Sequence, residues 1–228
     1  MEAALSCAEQ PSKDTLLLTP RPLTDRKAQE LCAYIDTLEA SDQWKSCFQR
    51  PTVRLEALKV PSTQRTKLSS EVPAFRININ FEGALDPMFV FRMYMDPQLR
   101  CQWDERVVAM TLRPEGEDFL FHQQFLFNRP LADRDFVTKL HLVPVEGGFK
   151  ALFYSVKHRE FGEKSGVERS KVHIGMYRFQ QRGQVTTMDI VQQVDMHFSL
   201  LRVQQLVPLF LIDWAARFRE ECLKRARC

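Results

Sequence analysis

The chain has 228 residues with 32 Lys and Arg against 29 Asp and Glu, a net charge of +3 that points to no polyanionic partner. Seventeen phenylalanines against eight glycines suit one large apolar interior better than a loop-rich catalytic scaffold. The six cysteines (Cys7, Cys32, Cys47, Cys101, Cys222 and Cys228) are scattered with no C-x-x-C pair, so they read as reduced thiols rather than a disulfide frame or zinc site.

Residues 1–20 are expected to form a flexible tail and 21–228 a single domain. Glu2 and Glu9 make the start acidic, without an apolar core. That fits neither a signal peptide nor a mitochondrial presequence, so the expected compartment is cytoplasmic. Thr24 and Asp25 cap a predicted helix whose stripe is Ala28, Leu31, Cys32, Ile35 and Leu38. The period then changes. Val53, Leu55 and Ala57 alternate with polar neighbours, and after a polar turn over 62–70 so do Phe75, Ile77, Ile79 and Phe81. Asp86-Pro87 and Asp96-Pro97 each place a capping carboxylate before a proline at the first helical position, predicting two short helices. Strands are predicted over 106–112, 118–127, 135–145, 149–156, 167–179 and 184–198. Gly147-Gly148 and Arg182-Gly183 mark hairpins, and Pro114 to Glu117 is a further polar turn. The stretch 200–225 is a predicted amphipathic helix with Val203, Val207, Phe210, Trp214, Phe218 and Cys222 on one stripe and a basic end at Lys224, Arg225 and Arg227. The longest apolar run, Leu206 to Ile212, is seven residues and contains Pro208, too short to span a bilayer. This order predicts an α+β fold, a curved antiparallel sheet around a long C-terminal helix.

Two stretches carry the chemistry. In the second short helix Arg100 and Trp103 lie three apart on one face. A guanidinium there is costly to bury without an anion, so either Asp96 or Asp104 pairs with it or a ligand supplies the charge. In the strand 118–127, Phe119, Phe121, Gln123, Phe125 and Phe127 share a face: four aromatic rings and one amide. In the next strand Arg134, Phe136, Thr138, Leu140 and Leu142 do the same, and in 167–179 the set runs through His173 to Tyr177. Polar groups on such apolar faces suit a lined cavity better than a solid core, with Arg169 and Lys171 expected to point outward. No dinucleotide, Walker A, HExxH or GxSxG motif is present, because Gly162 to Gly166 has the wrong spacing, so no enzyme, cofactor or catalytic residue is expected. Acids interleave with the basic residues, so no nucleic-acid partner is expected either.

Taken in order, several pieces resemble the START lipid-transfer domains, most closely their phosphatidylcholine-transfer branch. They are Tyr94-Met95-Asp96, Arg100, Gln102-Trp103-Asp104, Pro130, Arg134-Asp135-Phe136, Gly162 to Val167 with Arg169, and Ile212 to Ala216. The resemblance covers residues 50–228. It implies a helix-grip fold with one phospholipid in an internal hydrophobic cavity, closed by the last helix and by a loop at 157–164. It makes Arg100 the phosphate contact with Tyr94 beside the head group. Trp103, Phe119, Phe121, Phe125, Arg134, Val207, Phe210 and Trp214 complete the expected lipid-binding set. The positions of the choline cage fall on Gln123, Phe136 and His173, of which only Phe136 offers a good π face. The expected ligand is therefore a glycerophospholipid whose head group is not restricted to choline. The family often pairs the Arg134 position with a glutamate one strand earlier, a position that is Ala109 here, so Arg134 is expected to find another carboxylate or to touch the ligand. The expected protein is a monomeric carrier that touches membranes transiently. A lipid sensor acting through a protein partner, or an enzyme on a related scaffold, is the alternative.

Overall fold

A computed structural model describes residues 18–60, 72–127, 131–197 and 207–227. The tail expected over 1–20 lies outside these except for its last three residues, as do the turn over 62–70, Pro130, Val203, Cys7 and Cys228.

Asp25 accepts the Ala28 amide and starts α1 (Arg26–Glu39), which buries Leu31, Ile35 and Leu38. Two strands follow, β1 (Lys45–Gln49) and β2 (Val53–Leu58), then β3 (Ala74–Glu82). Sequence patterning misses β1 because it is an edge strand, exposed at four of its five residues, so no face needs apolar alternation. Asp86 caps α2 (Pro87–Met95), and Asp96 caps α3 (Pro97–Arg100) by accepting the Gln98 and Leu99 amides. The remaining strands are β4 (Val107–Glu115), β5 (Asp118–Phe125), β6 (Asp133–Val145), β7 (Gly148–Ser155), β8 (Val167–Arg169), β9 (Lys171–Arg182) and β10 (Val185–Asp195). The last helix is α4 (Val207–Arg225).

The strands form one sheet in the order β1-β2-β3-β10-β9-β7-β6-β5-β4, antiparallel throughout, with β8 added parallel to β6. Bulges between Ser46 and Phe48, Val107 and Ala109, and Gln193 and Val194 add the local twist that curves it. Gly116, Gly147 and Gly183 sit at positive φ in the hairpin turns, where a side chain would be strained. The turn expected from Pro114 comes later than its proline, since Pro114 and Glu115 still pair with Phe119 and Asp118. The strand predicted over 167–179 breaks at Ser170, whose amide is drawn to Asp135 O.

Both faces of the sheet are covered. On the outer face α1 packs Leu31, Ile35 and Leu38 against Leu152, Ile174, Met176 and Val191. On the inner face α2 and α4 pack against Ile77, Ile79, Phe81, Phe121, Phe149 and Phe179. Helix α4 is gripped by its aromatic stripe. Phe218 meets Phe81 edge-on at 6.1 Å, stacks on Trp214 at 5.3 Å and leans on Trp103 at 5.4 Å. Arg217 and Arg219 then donate to the carbonyls of Trp103 and Asn80, tying the helix to the loop after α3 and to β3.

Candidate functional site

An apolar cavity of about 140 Å³ lies between the inner face of the sheet and the first half of α4. Its walls include Phe125, Phe136, Phe153, Ile190 and Leu211, with Tyr94, Tyr177, Gln123 and Gln192 as the uncharged polar groups. Eight of the thirteen expected residues line it: Tyr94, Arg100, Gln123, Phe125, Phe136, Val207, Phe210 and Trp214.

The other five have different work. Phe119 and Phe121 belong to the solid part of the core, so the aromatic face of β5 divides into a packed half and a cavity half. Trp103 is buried and donates its indole N–H to Met93 O at 3.1 Å, fixing α3 against α2. Arg134 pairs with Glu168 at 2.9 Å and donates to the carbonyls of Met196 and Ala132, so its carboxylate comes from β8 rather than from the Ala109 position. His173 lies at the bulge opposite Gln193 and Val194 and is not part of the cavity wall. Arg169 and Lys171 turn outward as expected: Arg169 pairs with Asp135 at 2.7 Å and Lys171 is exposed.

Arg100 is 2% exposed, and of its two expected internal partners Asp104 is the one it meets. Its Nε and Nη2 donate to Asp104 Oδ2 at 3.1 and 2.6 Å, while Asp96 is occupied as a helix cap. The i,i+4 spacing across the end of α3 brings the two side chains together. Aromatic faces surround the guanidinium, with Tyr94 and Trp103 at 4.5 Å and Trp214 at 5.5 Å from its carbon. Its Nη1 is buried and has no hydrogen-bond partner among the described residues. A buried donor left unmade costs about 1–3 kcal/mol. The internal ion pair therefore satisfies the charge of Arg100 but not all of its donors.

The polar chain beside it was not legible in the sequence. Tyr94 and Tyr177 hydroxyls are 3.0 Å apart, and Tyr177 donates to Gln192 Oε1 at 3.1 Å. Burial holds the Tyr177 phenol well above its ordinary pKa. Arg106, the other charged residue of the wall, opens the strand predicted over 106–112, but β4 starts at Val107 and leaves Arg106 in the loop before it, where strand alternation assigns no face.

The loop at 157–164 does not cover this cavity. Phe161 stacks on His122 at 4.4 Å, and Arg169 donates to Phe161 O. His122 is on the face of β5 opposite Phe121 and Gln123, so the loop covers the outer side of β4–β6. Burial lowers the His122 pKa against the opposing pull of Asp135. Also on the outer face, Asp25, Asp118 and His141 come close enough together to suggest a metal site. Lys139 bridges both carboxylates at 3.0 and 2.9 Å, so the protein's own ammonium already stands where a cation would.

No helix among the described residues is long and apolar enough to cross a membrane. No curated protein sequence matches the chain. Solved structures do. Human STARD10 superposes with a TM-score of 0.71 at 18% identity, over 92% of this chain and 84% of that one. Human StAR-related lipid transfer protein 5 gives 0.70 at 16% identity, over 87% and 93%. The lipid transfer and protein localization domain of human StarD13 gives 0.64 at 17%, over 88% and 98%. At these identities the likeness is one of fold: a curved antiparallel sheet gripping a C-terminal helix. A family model for the START domain matches residues 25–224, and on that match the chain belongs to the START domain family.

Proposed function

We propose that the chain binds one glycerophospholipid between its sheet and α4 and transfers it between membranes, with a head-group range wider than choline. The observation that carries this reading is Arg100: a buried guanidinium on the wall of an apolar cavity, with a donor nitrogen that no group among the described residues accepts. A phosphate oxygen is the strong acceptor such a donor favours. Of the expected choline-cage positions the cavity wall keeps Gln123 and Phe136, and of these two only Phe136 offers a π face to a quaternary ammonium.

The energetics call for enclosure. Each methylene moved from lipid to water costs about 0.8 kcal/mol, so two long acyl chains left exposed would cost on the order of 25 kcal/mol. The cavity of about 140 Å³ is small beside the roughly 300–1,000 Å³ of ordinary ligand pockets. Loading therefore requires α4 to move. A second apolar cavity, of about 90 Å³, shares Val207, Leu211, Val194 and Met196 with the first, so shifting the first turns of α4 joins the two. Leu126, Leu209 and Phe210, which are 46%, 64% and 41% exposed, give this end the apolar contact with a bilayer that opening needs. In this reading the protein acts as a cytoplasmic monomer that meets membranes transiently. It carries its ligand and does not transform it. The His–Asp pairs, His122 with Asp135 and His141 with Asp118, are not part of the cavity wall.

Native mass spectrometry of the purified protein tests the binding half, with a co-purified phospholipid as the expected result. A sterol in its place, or no lipid after incubation with phospholipid vesicles, refutes the reading. Transfer of labelled phospholipid between liposomes tests the carrier half. Binding without transfer would point to a sensor.

A further inference from the structure

Among the described residues the cavity wall holds two charged side chains, and both are arginines, Arg100 and Arg106. No carboxylate lines it. The acid they share, Asp104, stands behind the wall at 1% exposure. Its Oδ2 is taken by Arg100, and its Oδ1 lies 3.5 Å from Arg106 Nε and 3.4 Å from the Arg106 amide. At 3.5 Å the second pairing is electrostatic only. Arg106 Nε, like Arg100 Nη1, is buried without a hydrogen-bond partner. Two guanidinium groups against one carboxylate leave one positive charge uncompensated beside an apolar space, where low local polarity makes charge count for more than in water.

We infer that Arg106 is a specificity-determining residue, and that with Arg100 it selects an acidic phospholipid whose head group carries no cationic group over zwitterionic phosphatidylcholine. The inference rests on the phospholipid reading above and narrows it to a class of head group. An anionic phosphate offers acceptors to both unpartnered nitrogens and cancels the excess charge. A phosphocholine brings a phosphate diester together with a quaternary ammonium. That cation meets no carboxylate among the described residues of this wall, Asp195 lining only the adjoining cavity, and it lies in the field of two guanidiniums. Arg106 is suited to discrimination rather than to structure: its side chain is 35% exposed at the rim, whereas that of Arg100 is 3% exposed.

The test is competition. The full chain is incubated with vesicles of equal phosphatidic acid and phosphatidylcholine, and the bound lipid is counted by native mass spectrometry. The expected preference for phosphatidic acid is about tenfold, equivalent to about 1.4 kcal/mol. Arg106→Gln is expected to bring the ratio close to one, chiefly through loss of phosphatidic acid uptake, and Arg106→Lys to keep part of the preference, since it keeps the charge but loses the planar fork. Equal uptake of the two lipids by the natural chain, or an unchanged ratio in Arg106→Gln, overturns the role of Arg106 and leaves the phospholipid reading standing. If neither lipid is taken up, the phospholipid reading itself fails and takes this inference with it.

Discussion

In the proposed reading Arg100 serves two partners, Asp104 and a phosphate, and a mutation that ignores one of them misreports the other. Replacing it alone with leucine strands the Asp104 carboxylate, which is 1% exposed, and breaking a buried pair from one side costs about 3–5 kcal/mol. Removing both ends together, as Arg100→Leu with Asp104→Leu, is expected to cost less than the single change, because the buried pair leaves together and only Arg106, whose side chain is 35% exposed, loses its acid. The double variant is therefore the one in which lipid uptake can be read cleanly. Denaturant melts should show a large loss for the single change and a small one for the pair, with phospholipid uptake lost in both. Normal uptake by a well-folded double variant would take the phosphate away from this site.

At the scale of elements, α4 has two halves with opposite roles. Its second half is anchored, since Phe218 is fully buried among Phe81, Tyr94, Trp103 and Trp214. Phe218→Ala is expected to cost about 3–5 kcal/mol in chemical denaturation, the range for a large aromatic removed from a packed core. Its first half borders the two cavities and exposes Leu209 and Phe210. Phe210→Ala removes a wall residue that is already 41% exposed, so stability should change little while the rate of liposome-to-liposome transfer falls. A stability loss as large as that of Phe218→Ala would mean that the first half is anchored as firmly as the second. The loop at 157–164 belongs with the anchored parts, because Phe161 on His122 and Arg169 on the loop carbonyls hold it to the outer face.

For the whole molecule, the buried His122 and His141 and the half-buried His173 link folding to pH. Burial lowers the pKa of His122, His141 and His173 below the ordinary value of 6.5. His122 faces Asp135, Lys164 and Arg169, His141 faces Asp118, Lys139 and Asp25, and His173 faces Lys171, Asp195 and His197. A base whose folded pKa is depressed binds more protons unfolded, so its stabilising effect is complete above the unfolded pKa. It is lost as pH falls from there towards the folded value. Stability should thus be flat above about pH 7 and decline below about pH 6.5. For a chain of this size each kcal/mol lost lowers Tm by roughly 2–4 °C. Thermal melts across that range check the slope, and His122→Gln should flatten it in part. A Tm independent of pH between about 7 and 5 would show that these groups titrate alike in both states.

Local chemistry made much of this legible in the sequence. Asp25, Asp86 and Asp96 declare helix starts because a capping carboxylate acts within three residues of itself. The inner stripe of β3 and the hairpin glycines follow from period-2 alternation and positive φ, which are equally local. An edge strand with no face to bury, β1, left no such trace. Tertiary structure decided what depends on distance between segments. It divided the aromatic face of β5 between solid core and cavity, and chose Asp104 over Asp96 for Arg100. It gave Arg134 to Glu168, laid the 157–164 loop on the outer face, and brought Arg106 to the rim beside Asp104. The physical reason is that periodicity reports which side chains are buried, whereas a cavity or a cross-strand ion pair is defined by groups from remote parts of the chain, and among near neighbours such as Asp96 and Asp104 the folded geometry alone decides which acid a guanidinium meets.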